Sequence, residues 1–317
     1  MASDTGFYAA QLRLELGALN RLYARGRSHV ESYGNPPVIV YSPEGEYHGN
    51  FFDAAYSAIL ARPEWLKRFG KIHAQSRSLP RAERRWRELD SSMSSDALLM
   101  NVFCTPDVFA SPAVQSMLGV DTKDLPTFGW RAGVPFANGK VDRTEVDMRW
   151  GSLLVEAKLT ESDFQTALPA LVEAYRDLDS VFQSDLLPRA SIAVGRRRTS
   201  AEFPEDYTQE EVLVPAEEWQ PHRWEVPPES TLGYSSYQLV RNVLAAFAHE
   251  ARFCVFLDER RPDLREAWFR VIMAVKDASL RVRLKILTWQ ELAAVLPAQL
   301  QDFLAEKYGI ESPRQAF

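Results

Sequence analysis

The 317-residue chain is 46% hydrophobic and 25% charged, with a formal net charge of −6; this is a globular balance, enough for one elaborated domain or two smaller ones. No run approaches the ~20 apolar residues of a membrane span, and the opening MASDTGFYAAQLRLELG lacks the cationic-then-apolar order of a signal peptide, so a cytoplasmic location is expected. Two distant cysteines, Cys104 and Cys254, and histidines without ligand spacing argue against zinc and for buried thiols in a reducing compartment.

In chain order, residues 7–30 read as an amphipathic helix carrying Leu12, Leu14, Leu16, Leu19, Leu22 and Tyr23. PPVIVYSPEGEYHGNFF reads as a strand, a turn at 43–45 and a second extended piece. Short helices are predicted over 53–61 and 63–69, the second with proline in its first turn. A longer helical pattern covers 81–89, and another covers DALLMNVF, with Ser94 or Ser95 available as its cap. Residues 127–140 (TFGWRAGVPFANGK) are glycine-rich and read as a loop. A hairpin follows in TEVDMRWGSLLVEAKL, then a helical stretch over 163–180. ASIAVG and RFCVFLD are short apolar β-like runs, 237–251 is helical, 280–289 is a late strand, and the closing helices break at Pro297. Strands alternating with helices predict an α/β fold, a mixed sheet covered by helices.

The hairpin is the segment that points to chemistry. Glycine first in the two-residue loop Gly151–Ser152 suits a type II′ turn, and that loop fixes the register. Trp150 then faces Leu153, Met148 faces Val155, Asp147 faces Glu156, and Glu145 faces Lys158. Alternation puts these four charged residues on one side and Val146, Met148, Val155, Ala157 and Leu159 on the other. Two carboxylates directly opposite one another are unfavourable unless neutralised, and a hard divalent cation does this with one or two carboxylates, leaving positions for water and phosphate oxygens. A lysine two residues along can position a water or counter charge developing on phosphorus. The bland alternative is a solvated charged face. The otherwise buried-looking strand LLVEAKL favours the chemical reading, because buried charges are paired or metal-bound.

Asp147, eight residues, then Glu156-Ala157-Lys158 resembles the PD-(D/E)XK nuclease superfamily, with Val146 where its motif has proline. The blocks SSDALLMNVFC (94–104), TEVDMRWGSLLVEAKLTESDF (144–164), YQLVRNVLAA (237–246) and TWQELAAVLPAQLQDFLAEKYGI (288–310) are similar to those of a bacterial branch of restriction-endonuclease-like proteins. The resemblance implies a restriction-endonuclease-like core, with residues 1–80 a helical and hairpin elaboration and residues 81–317 the nuclease-like domain. It implies Mg²⁺- or Mn²⁺-dependent phosphodiester hydrolysis. Asp147, Glu156 and the carbonyl of Ala157 would bind the metal, and Lys158 would serve the attacking water. It also implies an acidic residue on the preceding helix: Asp96 is the candidate and Glu88 the second, although an acid in a first helical turn is favoured by the dipole anyway. Gln238 resembles an accessory residue aimed at the scissile phosphate, or is a surface amide. Arg241 and Asn242 touch the nucleic-acid backbone or tie their helix to a neighbouring loop.

Charge is unevenly spread. Residues 62–87 carry nine Lys/Arg against Glu64 and Glu83, and residues 200–231 carry nine Asp/Glu against Arg223. The basic stretch suits phosphates or is a solvated helix face. The acidic one, with five prolines, reads as a long loop and a candidate gate over a cationic groove. DNA is the expected substrate, and cutting both strands implies a homodimer or a partner protein. The alternatives are a nuclease acting on RNA or branched DNA, and a catalytically silent nucleic-acid-binding or assembly module.

Overall fold

The computed structural model describes residues 5–32, 37–71, 87–194 and 229–313. Its centre is a five-stranded mixed sheet built from β1 (Thr127–Arg131), β2 (Glu145–Trp150), β3 (Leu153–Ala157), β4 (Arg252–Leu257) and β5 (Leu284–Thr288), in the spatial order β5-β4-β3-β2-β1. The first three strands pair antiparallel; β4 runs parallel to both β3 and β5. Helices cover both faces, which is why β3 and β4 are apolar almost throughout. On one face Met148, Trp150, Leu153, Val155 and Phe256 meet α1 (Thr5–Tyr23), α2 (Ser95–Phe103) and a C-terminal helix at 298–308. On the other, Leu154, Val255 and Leu257 meet α3 (Tyr237–Ala248) and α4 (Pro262–Met273). The mixed α/β sheet flanked by helices is the one the alternating pattern predicts, and no helix among the described residues is long and apolar enough to cross a membrane.

In α1, Leu12, Leu16 and Tyr23 are buried at spacings of four and seven, while Leu14 and Leu22 stand 59% and 58% exposed. One polar clasp joins this helix to α5 (Ala298–Tyr308): Asn20 Nδ2 donates to the carbonyl of Lys307 at 3.1 Å, and Lys307 Nζ donates to Asn20 Oδ1 at 2.8 Å. The Nζ atom lies 4.5–5.2 Å from the ring centres of Tyr23, Tyr41 and Tyr308. Burial, with some help from Arg27, pushes its pKa well below the usual lysine value.

Several expectations change. The glycine-rich stretch 127–140 is not a loop: it holds β1 and a small ribbon, Val134–Pro135 with Val141–Asp142. Its glycines at positions 129, 133 and 139 take positive φ within or beside these strands. The 163–180 stretch is not one helix but a short strand, Thr166–Ala167, and two single turns, Pro169–Val172 and Leu178–Val181. Gln165 at φ 61° and proline at the start of the first turn break it, and Ala174 gives its carbonyl to Ala137 instead of to a helix. Of the 81–89 helix only the end is described, and Glu88–Asp90 is a 3-10 turn. Glu229–Ser235 is a strand paired with Thr166–Ala167 and Arg189–Val194; the rest of the acidic stretch, and residues 72–86 of the basic one, lie outside the described residues. Beyond the expected elements lies α4, where Leu264, Trp268 and Val271 bury at helical spacing behind Pro262.

The hairpin turn holds. Trp150 pairs with Leu153 and Met148 with Val155, and Gly151 has φ 57° while Ser152 keeps a negative one. Gly151→Ala is therefore expected to cost about 1–2 kcal/mol from the left-handed backbone, since a Cβ there also comes within 3.0 Å of Thr122. Thermal denaturation checks it, and an unchanged midpoint would contradict this account of the turn.

Candidate active site

The two strands of the hairpin part at their open end, and that is where the charged residues collect. Backbone pairing of β2 with β3 stops at Met148 and Val155; one step further, Asp147 Oδ2 accepts the N–H of Ala157 at 2.8 Å. A side chain thus takes over from the ladder. Here β2 also switches faces, because Val146 packs with the α3 and α4 side while Met148 packs with the α2 side. β1 does the same, with Phe128 on the α2 side and Trp130 on the other. The β1–β2 register sets Gly129, at φ 63°, opposite Asp147. The expectation that Val146 shares the face of Met148 fails here, in step with the left-handed Gly129 opposite Asp147 on the neighbouring strand.

Glu156 is 1% exposed. Its Oε1 lies 2.9 Å from Lys158 Nζ, and its Oε2 accepts from Asn242 Nδ2 on α3 at 2.8 Å. Lys158 is 5% exposed, held through its own N–H to Phe256 (2.8 Å) and its carbonyl to Trp289 Nε1 (3.0 Å). Burial opposes its charge, but Glu156, Glu161 and Asp147 together hold it protonated above the usual lysine range. In the metal-free chain it stands as a cation beside Glu156. Asp147 shows the reverse: burial, then the charges of Glu156 and Asp96, push its carboxyl well above the usual range against the pull of Lys158 and the Ala157 N–H. The sequence pairing of Glu145 with Lys158 does not occur. Glu145 Oε2 accepts from Arg68 Nη1 at 2.7 Å, and its Oε1 is 3.8 Å from Arg131.

Asp96 stands in the first turn of α2, whose N-cap Ser94 accepts the N–H of Ala97 at 3.1 Å. Only 5% exposed, its Oδ2 receives Arg68 Nη2 at 2.7 Å and Lys71 Nζ at 3.3 Å. Burial works against its charge, but Lys71 and Arg68 outweigh that and lower its pKa. Glu88 pairs with Lys71 at 2.8 Å; burial, with the charge of Asp96, still raises its pKa. The side chain of Gln238, second residue of α3, has a buried Oε1 without a partner, and no described bond joins it to Asp147, Glu156 or Lys158. Arg241 donates to the carbonyl of Glu145 at 3.1 Å, so it and Asn242 tie α3 to the hairpin.

Three participants escape sequence reading, and the partner of a fourth, Asn242, shows only in space. Arg68 and Lys71 look like members of a basic run, and nothing local marks them as partners of Asp96. Asn242 shows its role only through Glu156, 86 residues away. Glu161 accepts from Ser95 Oγ and from the N–H of Leu159 (2.7 Å), linking the start of α2 to the segment after Lys158. That segment is clamped by fully buried Arg261, whose guanidinium donates to the carbonyls of Leu159 (3.2 Å), Glu161 (2.7 Å) and Ser162 (3.0 Å) and forks onto Asp263. Among the described residues no group of three or more His, Cys, Asp or Glu side chains is disposed to hold a metal ion.

A family model described as "restriction endonuclease associating with ARP" matches residues 19–309. No curated protein and no solved structure matches the chain.

Proposed function

The chain belongs to the family of restriction endonucleases associating with ARP, and from that premise we propose that it is a PD-(D/E)XK-type nuclease hydrolysing phosphodiester bonds in DNA with Mg²⁺ or Mn²⁺. The observation that carries this reading is the open end of the hairpin, where half-buried Asp147 reaches across to Ala157 beside Glu156 and the charged Lys158. The donor set suits a hard ion: Asp147, Glu156 and the carbonyl of Ala157 offer oxygen only, and Mg²⁺ asks a protein for one or two carboxylates. A carboxylate has about four lone-pair sites, and Lys158 and Asn242 occupy one each on Glu156, which leaves acceptor capacity. When bound, the ion lowers the pKa of a water and polarises the phosphate.

The chain's own residues supply the rest. Lys158, fixed by Phe256, Trp289 and Glu156, holds a positive charge where negative charge develops on the phosphate oxygens. Asn242 keeps Glu156 oriented, and Asp96 anchors the cations of the N-terminal segment against the hairpin. In this reading residues 1–80 decorate a nuclease core at 81–317 and reach its centre through Arg68 and Lys71. Cutting both strands of a duplex takes a second copy of the chain or two successive nicks, and the ARP of the family description is a candidate binding partner.

The test is incubation of supercoiled plasmid, linear duplex, single strands and RNA with Mg²⁺, Mn²⁺ or EDTA. Nicking or cutting of DNA with either ion and none with EDTA is expected, and Lys158→Ala should slow it about 10²–10³-fold, as loss of one transition-state donor does. Cleavage of RNA alone would reassign the substrate. No cleavage of anything, together with no Mn²⁺ binding, would mark a silent binding module.

A further inference from the structure

Asp96 and Glu145 come from different elements, yet one guanidinium holds both. Arg68 Nη2 lies 2.7 Å from Asp96 Oδ2, and Nη1 lies 2.7 Å from Glu145 Oε2. The side chain is 9% exposed, and Lys71 adds a second cation to the same Asp96 oxygen at 3.3 Å. The backbone is shaped around this guest. A Cβ at Gly129 would lie 2.2 Å from Arg68 Nη1 and 3.0 Å from Glu145 Oε2, and φ 63° there favours glycine in any case. Among the described ion pairs Asp96 and Glu145 have Arg68, Glu156 has Lys158, and none includes Asp147.

We infer that Arg68 is a resident counter-cation: it holds, on Asp96 and Glu145, the position a second divalent ion would need, so the site loads one ion and not two. This rests on the nuclease reading above. Arginine suits such a place because its charge is permanent and its planar fork spans two carboxylates at once. Two-metal centres set their ions roughly 3.5–4 Å apart with shared acidic ligands. Here the acidic residue of the helix and the one that opens the hairpin are already committed to a protein cation. Arg68 is a positioning residue in this scheme. It fixes α2 against β2 and restricts the ion to Asp147, Glu156 and Ala157.

The experiment is Mn²⁺ binding to the full chain, by calorimetry and by paramagnetic resonance of free Mn²⁺, with no nucleic acid present. The wild-type protein is expected to bind one ion. Arg68→Gln and Arg68→Met, which remove the cation joining Asp96 to Glu145 and leave them only Lys71 at 3.3 Å and Arg131 at 3.8 Å, are expected to bind two, whereas Arg68→Lys keeps the cation and returns the count to one. A purely structural role for Arg68 would change stability without changing the count. Two ions on the wild-type protein overturn the inference while leaving the nuclease reading intact, as does a count of one in folded Arg68→Gln. No ion on the wild-type protein overturns the nuclease reading, and the inference with it. Should both neutral variants fail to fold by circular dichroism, the wild-type count still decides.

Discussion

Glu156→Ala and Asp147→Asn are both expected to abolish cleavage, yet they should move the stability of the metal-free protein in opposite directions. Glu156 is buried between Lys158 and Asn242. Removing it leaves a buried ammonium without its main partner, and breaking a buried pair from one side costs about 3–5 kcal/mol. Asp147 has no ion pair among the described residues, and its carboxyl is pushed upward by burial and by Glu156 and Asp96. Asparagine keeps an oxygen to accept the Ala157 N–H and discards the like charge, so the metal-free protein should become more stable. Thermal denaturation in EDTA reads both. A lowered midpoint for Asp147→Asn would show that the protein holds this carboxylate in its charged form, contrary to the account given for it. With saturating Mn²⁺ the wild-type protein should overtake Asp147→Asn, because an ion that binds only the folded state stabilises the protein that retains its ligands.

Arg261→Met is expected to be the most damaging substitution far from the motif. All five N–H groups of this fully buried guanidinium find acceptors: two on Asp263 and three backbone carbonyls between residues 159 and 162. Methionine fills much of the volume and satisfies none of them, leaving Asp263 as an uncompensated buried charge. A loss of about 3–5 kcal/mol follows, measurable by urea denaturation. The loop from 159 to 162 leads away from Lys158, so protection of its amides against hydrogen exchange should fall as well. A loss below about 1 kcal/mol, the scale of an ordinary surface change, would mean that the loop is held by other contacts, with Glu161 to Ser95 the first to consider.

What the sequence discloses about the site is what lies close together in the chain. The turn at Gly151–Ser152, the register from Trp150–Leu153 to Met148–Val155, and the capped helix with Asp96 in its first turn are local events, set by turn geometry and capping. The fold class was legible in the same way, from the alternation of apolar runs with helical spacing. The face switch at Asp147 was not, because it depends on Gly129, a residue of another strand in a conformation that composition alone reads as loop. The same limit explains the 163–180 stretch, where local helical spacing yields to Pro169 and to bonds with the 135–137 segment. Arg68 lies 28 and 77 residues from the two acids it joins, and no periodicity can announce such a meeting. The helix at 262–273 is the opposite case: its pattern of Leu264, Trp268 and Val271 behind Pro262 is plain in the sequence.

The clasp between Asn20 and Lys307 spans 287 residues, and that distance has a temporal meaning. Synthesis runs from the N-terminus, so α1 emerges with its buried stripe of Leu12, Leu16 and Tyr23 long before α5 exists to cover it. At ~5–20 residues per second, the delay is on the order of half a minute, during which an apolar helix face waits unburied. Contacts of such separation are also the slowest to form once the chain is complete. The apolar cluster that holds Met148 and Val155 beneath the hairpin is therefore completed late, when Leu300, Phe303 and Leu304 join it.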